Sequence, residues 1–152
     1  MKNFQILNLV ETLSQLDLPG AKFAYGVSRN IHILKPHVQA LQEARKASPD
    51  FMQYDKERAG LAKKYSKKDE KGKPVIVGTE YVLEDRESFD KDFAELQQKY
   101  SEAIQKREQQ MREFAELADK DVEVELYKIK LADVPQEITT AQMNDIYELI
   151  EE

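Results

Sequence analysis

AYGVSRNIHILKPHVQAL, residues 24–41, sets Ala24, Val27, Ile31, Leu34, Val38 and Leu41 at alternating steps of three and four. On a helix that spacing gathers one narrow apolar stripe, suited to pairing with a second helix. A second ladder, Phe93, Leu96, Tyr100 and Ala103, follows a break bearing Gly72, Pro74 and Gly78. The fold class expected is therefore mainly α, a long antiparallel, coiled-coil-like helical hairpin. A seam buried between two helices leaves no concave, polar-lined place for chemistry.

The hairpin extends outward from that stripe. Pro19 suits a first helical turn, whose amides lack intrahelical partners, and Pro36 falls opposite the stripe, where a bend is expected and not a stop. Ser48-Pro49-Asp50 carries helix-start chemistry. Yet Phe51, Tyr54, Arg58, Leu61 and Tyr65 keep the same period, so one kinked, nearly continuous arm is expected over 20–67, roughly 70 Å long. Asp69 to Pro74 reads as a turn. Val75–Val77 and Tyr81–Leu83, flanking Gly78-Thr79-Glu80, read as a β-hairpin at a tip spanning 69–84. Asp85 or Ser88 caps a return arm to about residue 118, on the order of 50 Å.

The remainder forms a mixed base from 1–19 and 119–152, completing one elongated domain, 1–152. Its N-terminal helix, about 3–16, carries Phe4, Leu7, Val10 and Leu13. Val122, Val124 and Leu126, then Tyr127, Ile129 and Leu131, alternate in opposite phases. That pattern predicts a C-terminal strand with a bulge near Leu126-Tyr127. Thr139 or Thr140 caps a short last helix carrying Met143, Ile146 and Ile150, fraying at Glu151-Glu152.

Composition bounds the chemistry. The chain has 152 residues, 34% of them charged, and a mean hydropathy of -0.69, so much of it lies at solvent. No cysteine is present, which removes disulfides and thiolate metal sites. No apolar window approaches the roughly 18 residues of a membrane span, and the N-terminus lacks a secretory pattern. A soluble, unexported chain with no membrane contact is expected. The formal charge is -6, unevenly placed: residues 56–73 hold eight bases and three acids, residues 84–152 nine bases and twenty acids. Lys63, Lys64, Lys67, Lys68, Lys71 and Lys73 are expected to be neutralised by Glu84, Asp85, Glu87, Asp90 and Asp92 on the return arm. That disfavours a nucleic-acid partner.

Catalytic patterns are sparse. His32 and His37, five apart, diverge by about 140° on a helix and cannot chelate one ion together. Gly72-Lys73-Pro74 and Pro19-Gly20-Ala21-Lys22 lack the phosphate-loop spacing. Asp90/Asp92 and Glu123/Glu125 lie on expected exposed faces, without the burial that raises a general acid. No G-x-S-x-G turn is present. The expectation is no enzyme, no cofactor and no metal. One stripe invites a ligand: Lys22, Tyr25, Arg29 and His32 share a face of the second helix, and with Lys128 and Lys130 could hold an anion or a partner's carboxylate. The plainer reading is a solvated face paired with Glu11 or the acidic C-terminal region.

The order Leu18-Pro19-Gly20-Ala21-Lys22-Phe23-Ala24-Tyr25, Arg29-Asn30, Tyr65-Ser66-Lys67-Lys68-Asp69-Glu70-Lys71-Gly72-Lys73-Pro74 and Ile138-Thr139-Thr140-Ala141-Gln142-Met143 resembles a family of small tailed-phage and prophage proteins of Gram-positive bacteria, domain of unknown function 1617. The resemblance covers most of the chain and supplies no catalytic residues; the return arm is longer here than in shorter members. It implies a phage-encoded protein in the host cytoplasm or the virion. Two roles follow as expectations. One is a non-enzymatic interaction module, binding another protein or itself in assembly or host takeover. The other is an anti-defence protein that sequesters a nucleotide signal or inhibits a host defence protein.

Overall fold

In a computed structural model describing all 152 residues, the stripe of 24–41 lies on α2 (Ala21–Arg45), uninterrupted at Pro36, which faces solvent. The buried face of α2 comprises Phe23, Gly26, Val27, Asn30, Leu34 and Leu41. Ala24, expected in the seam, is exposed, and Phe23, one turn before Val27, takes the core position while Val27, Leu34 and Leu41 stay buried. The N-terminal helix α1 (Asn3–Gln15) packs on α2 and buries Ile6 and Leu13.

The arm expected to continue to residue 67 does not. The second helix ends at Arg45 and α3 (Pro49–Lys64) starts afresh, with Ser48 as its cap accepting from the Phe51 amide at 3.2 Å and Pro49 at the first position. Cap chemistry overrode the apolar period, since an N-cap hydroxyl satisfies an amide that a continuing helix would have bonded differently. The return segment likewise forms two helices, α4 (Arg86–Lys99) and α5 (Ser101–Asp119), with Tyr100 between them at φ -108°, ψ 20°. Asp85 caps α4 through the Ser88 amide at 3.0 Å. The hairpin expected after the turn is present as β1 (Ile76–Val77) against β2 (Glu80–Tyr81), antiparallel, with Gly78 at φ 64° in its turn.

The C-terminal strand is much shorter than expected. Only β3 (Ile129–Lys130) forms a ladder, parallel to β4 (Ile150–Glu151); residues 122–128 run outside any named strand. Thr139 caps α6 (Thr140–Ile146), reciprocally with Gln142. A 3₁₀ turn, Tyr147–Leu149, then leads into β4, so Glu151 closes a sheet and does not end a helix.

The molecule is thus mainly helical, six α-helices with two sheets of two strands each. The chain divides into two compact units, Met1–Arg45 with Arg112–Glu152, and Lys46–Met111. The first unit holds the main core, with Ile6, Leu13, Phe23, Val27, Leu34, Ile129, Ile146 and Leu149 buried together. In the second unit only Tyr54, Ser66 and Leu96 are buried, and α3 runs antiparallel to α4, since Glu57 meets Tyr100 and Tyr65 meets Asp92. Of the expected neutralisation, the cross-helix pair formed is Lys64 with Asp92 at 3.6 Å. Lys68 instead donates to the Lys63 carbonyl and the Ser66 hydroxyl. No helix is long and apolar enough to cross a membrane.

Candidate functional site

Two features bring residues 127–130 onto α2. Asn30, fully buried, uses its side-chain amide as a stand-in strand. Its Nδ2 donates to the Tyr127 carbonyl at 2.9 Å, and its Oδ1 accepts from the Tyr127 amide at 2.8 Å. Both backbone groups of Tyr127 are thereby satisfied without a neighbouring strand. Gly26 supplies the second feature: a Cβ there would lie 2.7 Å from Ile129 Cγ1, so only glycine leaves room for the Ile129 side chain against α2.

This docking assembles an aromatic and cationic ledge. The Tyr25 ring meets the Tyr127 ring edge-on at 5.9 Å. The Arg29 guanidinium lies 4.6 Å from the Tyr127 ring centroid and donates to the Tyr25 hydroxyl at 3.3 Å. Such guanidinium–aromatic contacts contribute on the order of 0.5–1 kcal/mol when exposed. Below the ledge opens a cleft of about 430 Å³, lined by Lys22, Tyr25, Tyr127, Ile129, Lys130 and Asp133 together with Ala21. Lys22 Nζ lies 3.4 Å from the half-buried Asp133 carboxylate, in the acidic C-terminal region where the plainer reading placed its partner.

The six residues singled out in the sequence are therefore divided. Lys22, Tyr25 and Lys130 line one cleft and Arg29 braces its aromatic wall. Lys128 donates to the Glu148 carbonyl and stands outside the lining, as does the exposed His32. Tyr127, Asp133 and Asn30 went unnoticed as site residues. The one available signal was a lone Asn amid the apolar positions of α2, which a buried backbone could recruit. A second cleft in the same unit, about 560 Å³, is walled by Gln5, Asn8 and Thr12 on α1 and by Asn144, Asp145 and Glu148. It offers amides and carboxylates but no aromatic ring or guanidinium.

The first cleft presents two tyrosine rings, two ammonium groups and one carboxylate, with the Arg29 guanidinium behind its aromatic wall. No His, Ser or Thr lines it. No group of three or more His, Asp or Glu side chains is placed to hold a metal ion. No protein-family model, curated protein or solved structure matches the chain.

Proposed function

We propose that the protein is a non-enzymatic, phage-encoded protein-interaction module, and that the Tyr25–Arg29–Tyr127 ledge is its contact for a partner protein. The observation that carries this reading is the exposure of Tyr25, at 57%, while its ring is held by Tyr127 and Arg29. Tyr and Arg dominate binding hot spots because they bring large contact area and directed donors with little rotamer freedom left to lose. Lys22 and Lys130 line the cleft beside the ledge, and the two lysines favour an acidic rim on the partner. That residues 20–118 work as one long hairpin belongs to the same proposal, and small-angle X-ray scattering tests it through the maximum dimension.

The test of the ledge is co-purification of the full tagged chain from phage-infected host cells. A prey retained by the wild type and by Glu11→Ala, but lost with Tyr25→Ala/Arg29→Ala, supports the reading. Equal retention by the ledge variant overturns it.

The cleft itself favours a second reading, sequestration of a nucleotide signal. Its volume lies within the ligand-pocket range, and it sets an aromatic face beside two lysines, the pairing a base and a phosphate require. A thermal-shift screen with cyclic mono- and dinucleotides checks this. Binding to the folded form raises Tm, and Lys22→Ala/Lys130→Ala should abolish the rise.

A further inference from the structure

Residues 54–65 and 89–100 are two copies of one helical motif. Tyr54-Asp55-Lys56-Glu57-Arg58-Ala59-Gly60-Leu61-Ala62-Lys63-Lys64-Tyr65 aligns without gaps on Phe89-Asp90-Lys91-Asp92-Phe93-Ala94-Glu95-Leu96-Gln97-Gln98-Lys99-Tyr100. Asp, Lys, Ala, Leu, Lys and Tyr coincide, and the first and fourth positions keep an aromatic ring and a carboxylate. Both copies end their helices in the same way. Tyr65 closes α3 at φ -93°, ψ 6°, and Tyr100 closes α4 at φ -108°, ψ 20°.

The contacts between the copies are reciprocal. Tyr100 donates to Glu57 at 2.9 Å with Lys99 Nζ 3.3 Å from that carboxylate. At the other end Tyr65 donates to Asp92 at 2.6 Å, with Lys64 Nζ at 3.6 Å. Each lysine also lies over the neighbouring tyrosine ring, at 4.9 Å for Lys99 and 4.7 Å for Lys64. The Tyr54 ring packs on Tyr100 as the Phe89 ring packs on Tyr65. The open groove between the helices is lined by Glu57, Gly60, Leu61 and Lys64 and by their counterparts Asp92, Glu95, Leu96 and Lys99. This is the arrangement of an isologous interface, in which one surface binds its own copy around a two-fold axis.

A helix that recognises its duplicate through these groups carries everything needed to recognise itself. We propose that α3 and α4 are homotypic docking helices, and that the partner fitting them is a second copy of this chain, α3 pairing with α3 and α4 with α4. The hairpin opens at the exposed turn 69–73, closed by its own local bonds, among them the Lys71 and Lys73 amides to the Asp69 carboxylate. Bonds from Lys67 to Val82 and from Glu84 to Tyr65 favour the closed form within one chain. A short tether adds an effective concentration in the millimolar range, so the closed monomer is the resting state.

Charge reversal separates the two pairings. In Glu57→Lys/Lys64→Glu the α3 clamps repel α4 of the same chain, yet remain complementary to α3 of a second identical chain. This variant should double its mass by light scattering, and Asp92→Lys/Lys99→Glu should do the same. Combining all four substitutions restores closure within the chain and should return a folded monomer. The chain has no cysteine, so Gly60→Cys, near the centre of the motif, adds a reporter: oxidation should cross-link it in the two-site variant but not in the wild type. Two-site variants that stay monomeric or only unfold, beside a folded four-site variant, overturn the proposal. Failure of the four-site variant to fold overturns it too, by refuting the reciprocal clamps. Neither result touches the ledge at Tyr25, which lies in the other unit.

Discussion

Asn30 and Gly26 decide more than any charged residue in the chain. Asn30→Ala leaves the Tyr127 amide and carbonyl without partners in a dry interior, where an unpaired group costs about 1–3 kcal/mol. Urea denaturation of the variant should show a loss of about 2–3 kcal/mol. At Gly26 an alanine normally gains up to about 1 kcal/mol in a helix. The 2.7 Å approach to Ile129, itself 2% exposed, reverses the sign, and Gly26→Ala should destabilise by about 1–3 kcal/mol. Gly60 is the control: nothing lies within 4 Å of its Cβ position, so Gly60→Ala should stabilise by about 0.5–1 kcal/mol. Paired melting curves check both directions at once. Sequence pattern marks both glycines alike as helix-weakening, because the obstruction at Gly26 comes from a residue about a hundred positions away.

At the level of elements, the α3–α4 pair is held by half-buried carboxylates and exposed lysines whose protonation follows pH. Hydrogen bonds from Gln53 and then Tyr100 hold the Glu57 carboxyl below its ordinary range, and the Tyr65 hydroxyl does the same for Asp92. Asp85 is lowered by Ser88 at the α4 cap. Depressed carboxyls contribute stability above their unfolded pKa, near 4, and lose it as pH falls through their lower folded values. Lys64, through Tyr65, and Lys99, through Glu57, are raised. Their contribution is present below about pH 10.4 and is lost as pH climbs through the folded values. Protection factors of the α3 and α4 amides, corrected for the intrinsic pH dependence of exchange, should therefore fall below pH 4, and Tyr65→Phe should flatten that response. Most element positions were legible beforehand, because caps and turns are local: Asp85, Thr139 and the Gly78 turn act within four residues. The break at Ser48 was legible in its cap chemistry but was outweighed by the apolar period that runs through it, and the same kind of period concealed the break at Tyr100. The duplicated motif was missed as well, because it is a repeat of polar and aromatic residues and an apolar ladder does not reveal it.

The whole molecule joins a unit with a continuous apolar core to a unit with three buried residues. Local opening is governed by how much apolar contact each region must surrender. Hydrogen exchange should therefore protect α1 and α2 more strongly than α3 and α4, and denaturant should release Lys46–Met111 first; uniform protection across both units would contradict this. Composition and periodicity by themselves determined that the chain is mainly helical, uncrosslinked and without a membrane-spanning helix, because those properties sum over neighbouring residues. They also placed Lys22, Tyr25 and Arg29 on one helical face. Only the tertiary structure decided that Lys130 joins them while Lys128 and His32 do not, and that the C-terminal segment bonds to a side chain in place of a strand. Those outcomes depend on contacts between residues 22–30 and 127–133, and no local pattern encodes which distant backbone will be left needing a partner.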